Sequence, residues 1–286
     1  MPTVQDFLEI LHCIAPEHLA EDWDNVGLLA GDPRQPVQRV LLALDPTSCL
    51  VEEAARGGYD LILTHHPVIF RPLKALRTDT PTGRFLALAT RHQISVIASH
   101  TNLDSVPDGV SSYLARILGL EQLRPLQPSR SGCPETCGLG QIGTYAQSLS
   151  PEAFLARIDQ AIHPPWLLEA GPRPEQVATV AVCGGSCSDF AELAQRSGVD
   201  VFLTAEVKHS VARWAEEAGL WLLDGGHFAT ENPAMEPLRD RLCREAEQRG
   251  WTLTVEVARQ EPPLRLAARI VDFERGEHDR KPSCLP

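Results

Sequence analysis

No stretch of the chain reaches the roughly 18 consecutive apolar residues that a membrane helix needs. The opening Met1-Pro-Thr-Val-Gln-Asp-Phe7 has neither the basic start nor the apolar run of a secretory signal. The cytoplasm is therefore the expected location, with no membrane partner. Positive charge is in deficit: 26 Lys and Arg against 38 Asp and Glu leave a net charge of −12. That disfavours broad binding to nucleic acid or to acidic membrane, though not a metal-bridged phosphate ligand. Cysteine is sparse for a disulfide scaffold, with eight scattered residues. Cys133/Cys137 and Cys183/Cys187 are spaced C-x3-C, not the C-x2-C common in structural zinc sites, and read as plain surface or core thiols. Gly184-Gly185-Ser186 could approach a phosphate, but the run has neither the lysine of a P-loop nor a dinucleotide fingerprint.

What remains is an ordinary globular composition, 43% apolar and 22% charged. The 286 residues suffice for one large domain or two moderate ones. Val4 to Leu19 has helical periodicity. Val37 to Leu44 reads as a strand, followed by a helix to Arg56 that Thr47 or Ser48 caps and Gly57-Gly58 ends. Leu61 to Thr64 is the next strand. Thr82 to His92 reads as a helix, Ile94 to Ser99 as a strand and Val110 to Leu118 as a helix. Residues 121–173 are less regular and rich in Pro, Gly and Ser, with a strand near Leu139 to Ala146 and a helix over Pro151 to Ile162.

The rhythm then resumes with strands at Val177 to Val182, Val201 to Thr204 and Leu220 to Leu223. Helices fall at Asp189 to Arg196, Lys208 to Ala218 and Glu236 to Arg249, and Thr252 to Val257 closes as a strand. Alternating short strands and helices predict an α/β protein with parallel sheets, in two similar α/β lobes facing a central metal-binding cleft. The expected divisions are a first lobe at 1–125, a connecting region at 126–173, a second lobe at 174–270 and a weakly attached tail at 271–286.

Chemistry-bearing residues gather just beyond these strands, where parallel sheets present ligands. His65 and His66 follow Leu61 to Thr64, His100 and Asp104 follow the next strand, and His227 and Glu231 follow Leu220 to Leu223. Adjacent histidines point apart along an extended strand, but at a strand-to-loop junction they can diverge around one site or two neighbouring ions. His227 and Glu231 are four apart and share a face on a helical turn. His65, His66, Asp104, His227 and Glu231 together offer three imidazoles and two carboxylates, close to the minimum for two metal ions. Mixed nitrogen and oxygen donors suit Zn, Fe, Mn or Co better than Ca. Spacing alone leaves the plainer reading open, because a histidine after a strand is usually a loop residue.

Trp23-Asp-Asn-Val-Gly27, Thr64-His-His-Pro67 with Phe70, and His100-Thr-Asn-Leu-Asp104 resemble motifs of the Nif-three-like dinuclear metal centre family. So do Cys183-Gly-Gly-Ser186, Asp200 through Thr204-Ala-Glu206 with His209, and Gly226-His-Phe-Ala-Thr-Glu231. The motifs run in the family's order from about residue 4 to residue 257. Many members carry the name GTP cyclohydrolase 1 type 2 homologue. The resemblance implies two divalent metal ions per subunit, with His65 and His66 each contacting one. Asp104 and His227 match further ligands, Glu231 a bridging carboxylate, and His100 a cavity histidine that neighbours the ligands or carries protons. It also implies a ring-like homohexamer.

One departure stands out: Ala205 occupies a position that is often glycine, and Ser210 replaces the second histidine of a pair after Glu206. That puts substrate choice in doubt. The expected activity is metal-dependent hydrolysis of a nucleotide-like or phosphoester small molecule, with His100 and Glu206 as proton shuttles. A non-catalytic metal-binding or interaction scaffold is the alternative. Asp45 is expected to cap a helix or act structurally, and Trp23 and Asn25 to shape the cavity wall or fix the entry loop.

Overall fold

The computed structural model describes residues 1–129 and 133–267; the expected tail, 271–286, lies outside them. Short runs of Val, Leu and Ile form strands buried on both faces, as parallel strands covered by helices must be. The strands are β1 (Gly27–Ala30), β2 (Arg39–Ala43), β3 (Leu61–Thr64), β4 (Ser95–Ala98), β5 (Glu121–Pro128) and β6 (Gly138–Leu149). They continue as β7 (Leu168–Ala170), β8 (Val177–Val182), β9 (Val201–Thr204), β10 (Trp221–Asp224) and β11 (Thr254–Val257). Among the described residues they build two sheets, ordered β1-β4-β3-β2-β11 and β5-β6-β8-β9-β10-β7. The chain is thus a mixed α/β fold, with helices on the sheets and two clusters of metal-capable side chains at a central cleft.

Each sheet is centred on three consecutive parallel strands, β2-β3-β4 in the first and β8-β9-β10 in the second. Side chains alternate across them with period two. Val40, Leu42, Leu61 and Leu63 face the helices Val4–Ile14 and Met235–Gln248. Leu41, Ala43 and Ile62 face Ser48–Gly57 and Pro81–Arg91. In the second sheet Val180, Leu203 and Trp221 pack on Phe154 and Ile158, while Ala181, Phe202 and Leu222 pack on Ala194 and Ala215. A fully buried Leu or Phe contributes about 1.5–3 kcal/mol, so these four layers fix where the strand ends lie.

Local signals set the helix ends. Thr47 caps Ser48–Gly57 by accepting from Leu50 N, and Gly58, at φ +65°, ends it. That leaves Asp45 free for the cleft. Residues 126–173, expected as a connecting region with a strand near Leu139 to Ala146, hold most of an antiparallel β5–β6 pair, with β6 joined to β8. The helix Pro151–Ile162 and β7 also lie in this stretch. The strand expected to close the second lobe, β11, pairs in parallel with β2 and completes the first sheet. Its preceding helix puts Met235, Leu238 and Leu242 into the first core. No described helix is long and apolar enough to cross a membrane.

The first sheet therefore draws its edge strand and a large part of one core from beyond residue 234. A fragment of residues 1–125 is expected to show no cooperative urea transition by circular dichroism. A cooperative transition in that fragment alone would contradict this account of the core.

Candidate metal centre

Parallel strands place their carboxyl ends side by side, and the candidate residues occupy those ends. His65 and His66 continue the ladder beyond β3, with His65 N bonded to Ala43 O and His66 N to Leu44 O. The backbone turns there, so the two rings, with centroids 5.0 Å apart and tilted by 51°, both reach the cleft. His100 precedes a single helical turn, Thr101–Asp104, which presents Asp104. Beyond β10, Gly226 at φ +77° starts the short helix His227–Glu231, whose first and last residues share one face.

All four imidazoles are oriented in the same sense. Nδ1 lies 2.9 Å from Ser99 O in His65, and 2.8 Å from a carboxylate oxygen of Asp45 in His66, of Asp24 in His100 and of Glu206 in His227. Carbonyls and carboxylates only accept hydrogen bonds, so each Nδ1 donates its proton outward and each Nε2 is turned into the cleft. Histidines that bind metals are held in this manner.

Two donor clusters result: His65, His66 and His100, and His66, His227 and Glu231. Asp104 Oδ1 is 3.6 Å from His65 Nε2, placing this carboxylate beside the first cluster. Glu231 Oε2 lies 3.1 Å from His66 Nε2 and 3.0 Å from His227 Nε2, and the two Nε2 atoms are 3.3 Å apart. The nitrogens come from different sheets, so the clusters join the two halves of the fold. Buried His65 Nε2 and Glu231 Oε2 have no hydrogen-bond partner of proper geometry. Inward-facing lone pairs at this separation need protons or cations between them, and a nitrogen and carboxylate set of this kind fits divalent transition metals.

The metal-free electrostatics have the same origin. Burial lowers His65 to about 3. Burial also opposes a charge on His66, but Asp45 and Glu231 outweigh it and raise the group to about 10. His227 rises to about 9 because Glu231 and Glu206 overcome its burial. Burial pushes Asp104 up to about 7. Glu231, although buried, is held well below the usual carboxylate range by the His227 and His66 rings beside it. Asp24 is also lowered, to about 2, as bonds from His100 and Thr101 override its burial.

The structure thus brings together His65, His66, Asp104, His227 and Glu231, and sets His100 in a donor cluster. Glu206, expected as a proton shuttle, is hydrogen-bonded to His227. His209 is exposed and does not line the cleft's cavity, which measures about 630 Å³ and is bounded by His66, His100, Glu206 and Glu231. Asp45 and Asp24 went unrecognised as orienting groups, although Asp45 stands past β2 as His66 stands past β3. Gln260 was also missed: its Oε1 accepts from Leu44 N and Asp45 N, and its Nε2 donates to Asp45 O. Gly185, first considered for phosphate approach, has another use. Its φ is +71°, and a Cβ there would overlap Glu231 Oε1.

The sequence profile described as Duf34/NIF3 (NGG1p interacting factor 3) matches residues 2–263. A Streptomyces coelicolor protein named GTP cyclohydrolase 1 type 2 homolog is 35% identical over 262 residues, 91% of this chain and 92% of that protein. The crystal structure of Staphylococcus aureus hypothetical protein SA1388 superposes with a TM-score of 0.83 at 29% identity, covering 90% of this chain and 97% of that one. A Bacillus cereus protein related to NIF3 shares the fold with a TM-score of 0.86 at 22% identity, covering 92% and 98%.

Because His66 and His227 are raised, they are protonated below about 9 to 10 without metal. Their facing Nε2 atoms limit the pair to about one or two protons at neutral pH. Zinc binding at pH 7 should therefore release about one to two protons per chain, and affinity should rise with pH. Calorimetry in buffers of different ionisation enthalpy measures the number; no release would contradict the arrangement. Gly185→Ala should lower zinc affinity by about tenfold or more by displacing Glu231, as competition with a chromophoric chelator would show.

Proposed function

The chain belongs to the Duf34/NIF3 family, and we propose that it is a metal-dependent hydrolase acting on a nucleotide-like or phosphoester small molecule. The name GTP cyclohydrolase 1 type 2 homolog, carried by its relatives, supports the nucleotide-like part of this reading. The observation that carries the proposal is the cavity of about 630 Å³ opening onto the donor clusters. A purely structural zinc site closes around its ion with protein ligands and has no use for such a space.

In this reading His65 and Asp104 would help hold one ion and His66 and His227 the other, with Glu231 as a shared donor. Divalent ions bound there would supply Lewis acidity and a water activated near neutral pH. The remaining work belongs to side chains. His100 takes up and returns a proton at Nε2, while buried Asp24 at its Nδ1 steadies the charged ring. Glu206 holds His227 with one oxygen, and its exposed carboxylate exchanges protons with solvent. The reading includes a cytoplasmic location and a ring-like homohexamer, the latter checked by light scattering.

A non-catalytic metal-binding scaffold is the second reading. It is favoured by donors drawn from both sheets, since ions there would tie the halves together. Metal-free protein that stays folded but loses turnover supports the enzyme, and metal-free protein that falls apart supports the scaffold.

Elemental analysis of the wild type and of Asp104→Ala combined with Glu231→Ala is the decisive test. About two ions per chain are expected in the wild type, largely lost in the double variant. Turnover of GTP and phosphoesters is then screened with the metal found. A wild type that stays metal-free after reconstitution with Zn, Mn and Fe(II) would sink the proposal.

A further inference from the structure

Two large aromatic side chains stand in solvent at the metal cleft. Trp23 is 57% exposed and Phe70 46%, unusual for residues that gain most from burial. They are neighbours, with ring centroids 5.6 Å apart and planes tilted by 52°. Each also meets the His100 ring, at 6.0 and 6.3 Å. Both line the cavity that contains His66 and Glu231, together with the apolar Phe190 and Leu264. An exposed apolar patch inside a cleft marks a binding surface.

The supports of these rings are fixed. Asp24, next to Trp23, accepts from Thr101 N, Thr101 Oγ1 and His100 Nδ1. Asn25 Nδ2 donates to Ile69 O, tying the Trp23 loop to the Phe70 loop. The pair is therefore preorganised, and its position is set by the same carboxylate that orients a cleft histidine.

Charge narrows the ligand further. Asp45, Asp104, Asp189, Glu206 and Glu231 line the cavity, and none of the described lining residues is lysine or arginine. Lys208, close by in sequence, is held by both carboxylate oxygens of Asp189, at 2.7 and 2.6 Å. Among the described residues of the lining only the metal cluster can meet negative charge, so a polyphosphate tail finds no cationic side chain there to receive it.

We propose that Trp23 and Phe70 form a stacking site for a planar aromatic ring that bears no negative charge, carried by a ligand with one metal-binding group and no polyphosphate. A nucleoside monophosphate and an aryl phosphate both have this chemistry; a nucleoside triphosphate does not. The proposal rests on the metal-site reading above for the polar end of the ligand, and on the aromatic pair alone for the ring.

Calorimetry of the full-length zinc-loaded protein compares guanosine monophosphate, phenyl phosphate, ribose 5-phosphate and guanosine triphosphate. At least one of the two ring-bearing monophosphates should bind about tenfold more tightly than ribose 5-phosphate, and the triphosphate no more tightly than the monophosphate. Preference for the guanosine compound over phenyl phosphate identifies a nucleobase, and equal binding a simple aromatic ring. Trp23→Ala and Phe70→Ala should abolish the ring preference while zinc content stays at the wild-type level, and Trp23→Phe should retain most of it. In metal-free protein, guanosine should quench the tryptophan emission present in the wild type and missing in Trp23→Phe.

Equal affinity for ribose 5-phosphate, a ring preference that survives both alanine changes, tighter triphosphate binding, or no binding by any ligand would overturn the proposal. Ring binding without turnover would sink only the hydrolase reading. Turnover of ringless phosphoesters with no ring preference would sink only this one.

Discussion

The burial of the Glu231 carboxylate is the constraint on which the rest of the centre depends. It is 4% exposed, and burying such a charge is costly unless it is compensated. Compensation comes from imidazoles on both sheets, His66 from the first and His227 from the second. The two halves must then meet at this point. Gly185 must lack a side chain where Glu231 passes, and the helix that carries Glu231 is short enough to keep His227 on the same face.

Parallel sheets make this arrangement accessible with few special residues. The ends of β2, β3 and β4 supply Asp45, the histidine pair and the Ser99 carbonyl, so one strand's donor is oriented by its neighbour's end. The second sheet repeats the device, with Glu206 beyond β9 holding His227 beyond β10. Glu206 adopts φ +53°, a left-handed conformation that costs a non-glycine residue about 1–2 kcal/mol. Its carbonyl accepts from Ser188 Oγ, and the next amide, Val207 N, donates to Asp224. Those bonds, with the one to His227, offset the strain.

The parallel cores were legible because each strand is a short apolar run closed by polar or glycine residues. Leu61–Thr64, Val177–Val182 and Val201–Thr204 have the bounds that pattern predicts. Strand β5 was not legible: it holds Pro125 and Pro128 and is mostly exposed, so its membership in a sheet comes from pairing with β6 and not from its own pattern. The place of β11 was hidden for a related reason. Its alternation announces a strand, but its partner β2 lies more than 200 residues away in sequence, and local periodicity carries no information on partners. In the site, histidines after strands were visible as a pattern. Asp24 and Asp45 were not: Asp24 sits in a turn before β1, and Asp45, after β2, resembles any cap until its hydrogen-bond partner is known.

The departures at Ala205 and Ser210 bear on substrate choice less than the sequence implies. Ala205 is fully buried and lies outside the cavity lining, with its amide bonded to Gly185 O. Its methyl group therefore takes no space from a ligand. Ser210 is exposed and borders a shallow depression with Ser188, Glu192 and Trp214, away from the donor clusters. Neither change removes a cleft side chain. What Ala205 affects is the turn that delivers Glu206, whose carboxylate fixes the ring of His227. The consequence of the alanine runs through backbone conformation to the orientation of a cleft histidine, so it bears on how the centre is held and not on the shape of what enters it.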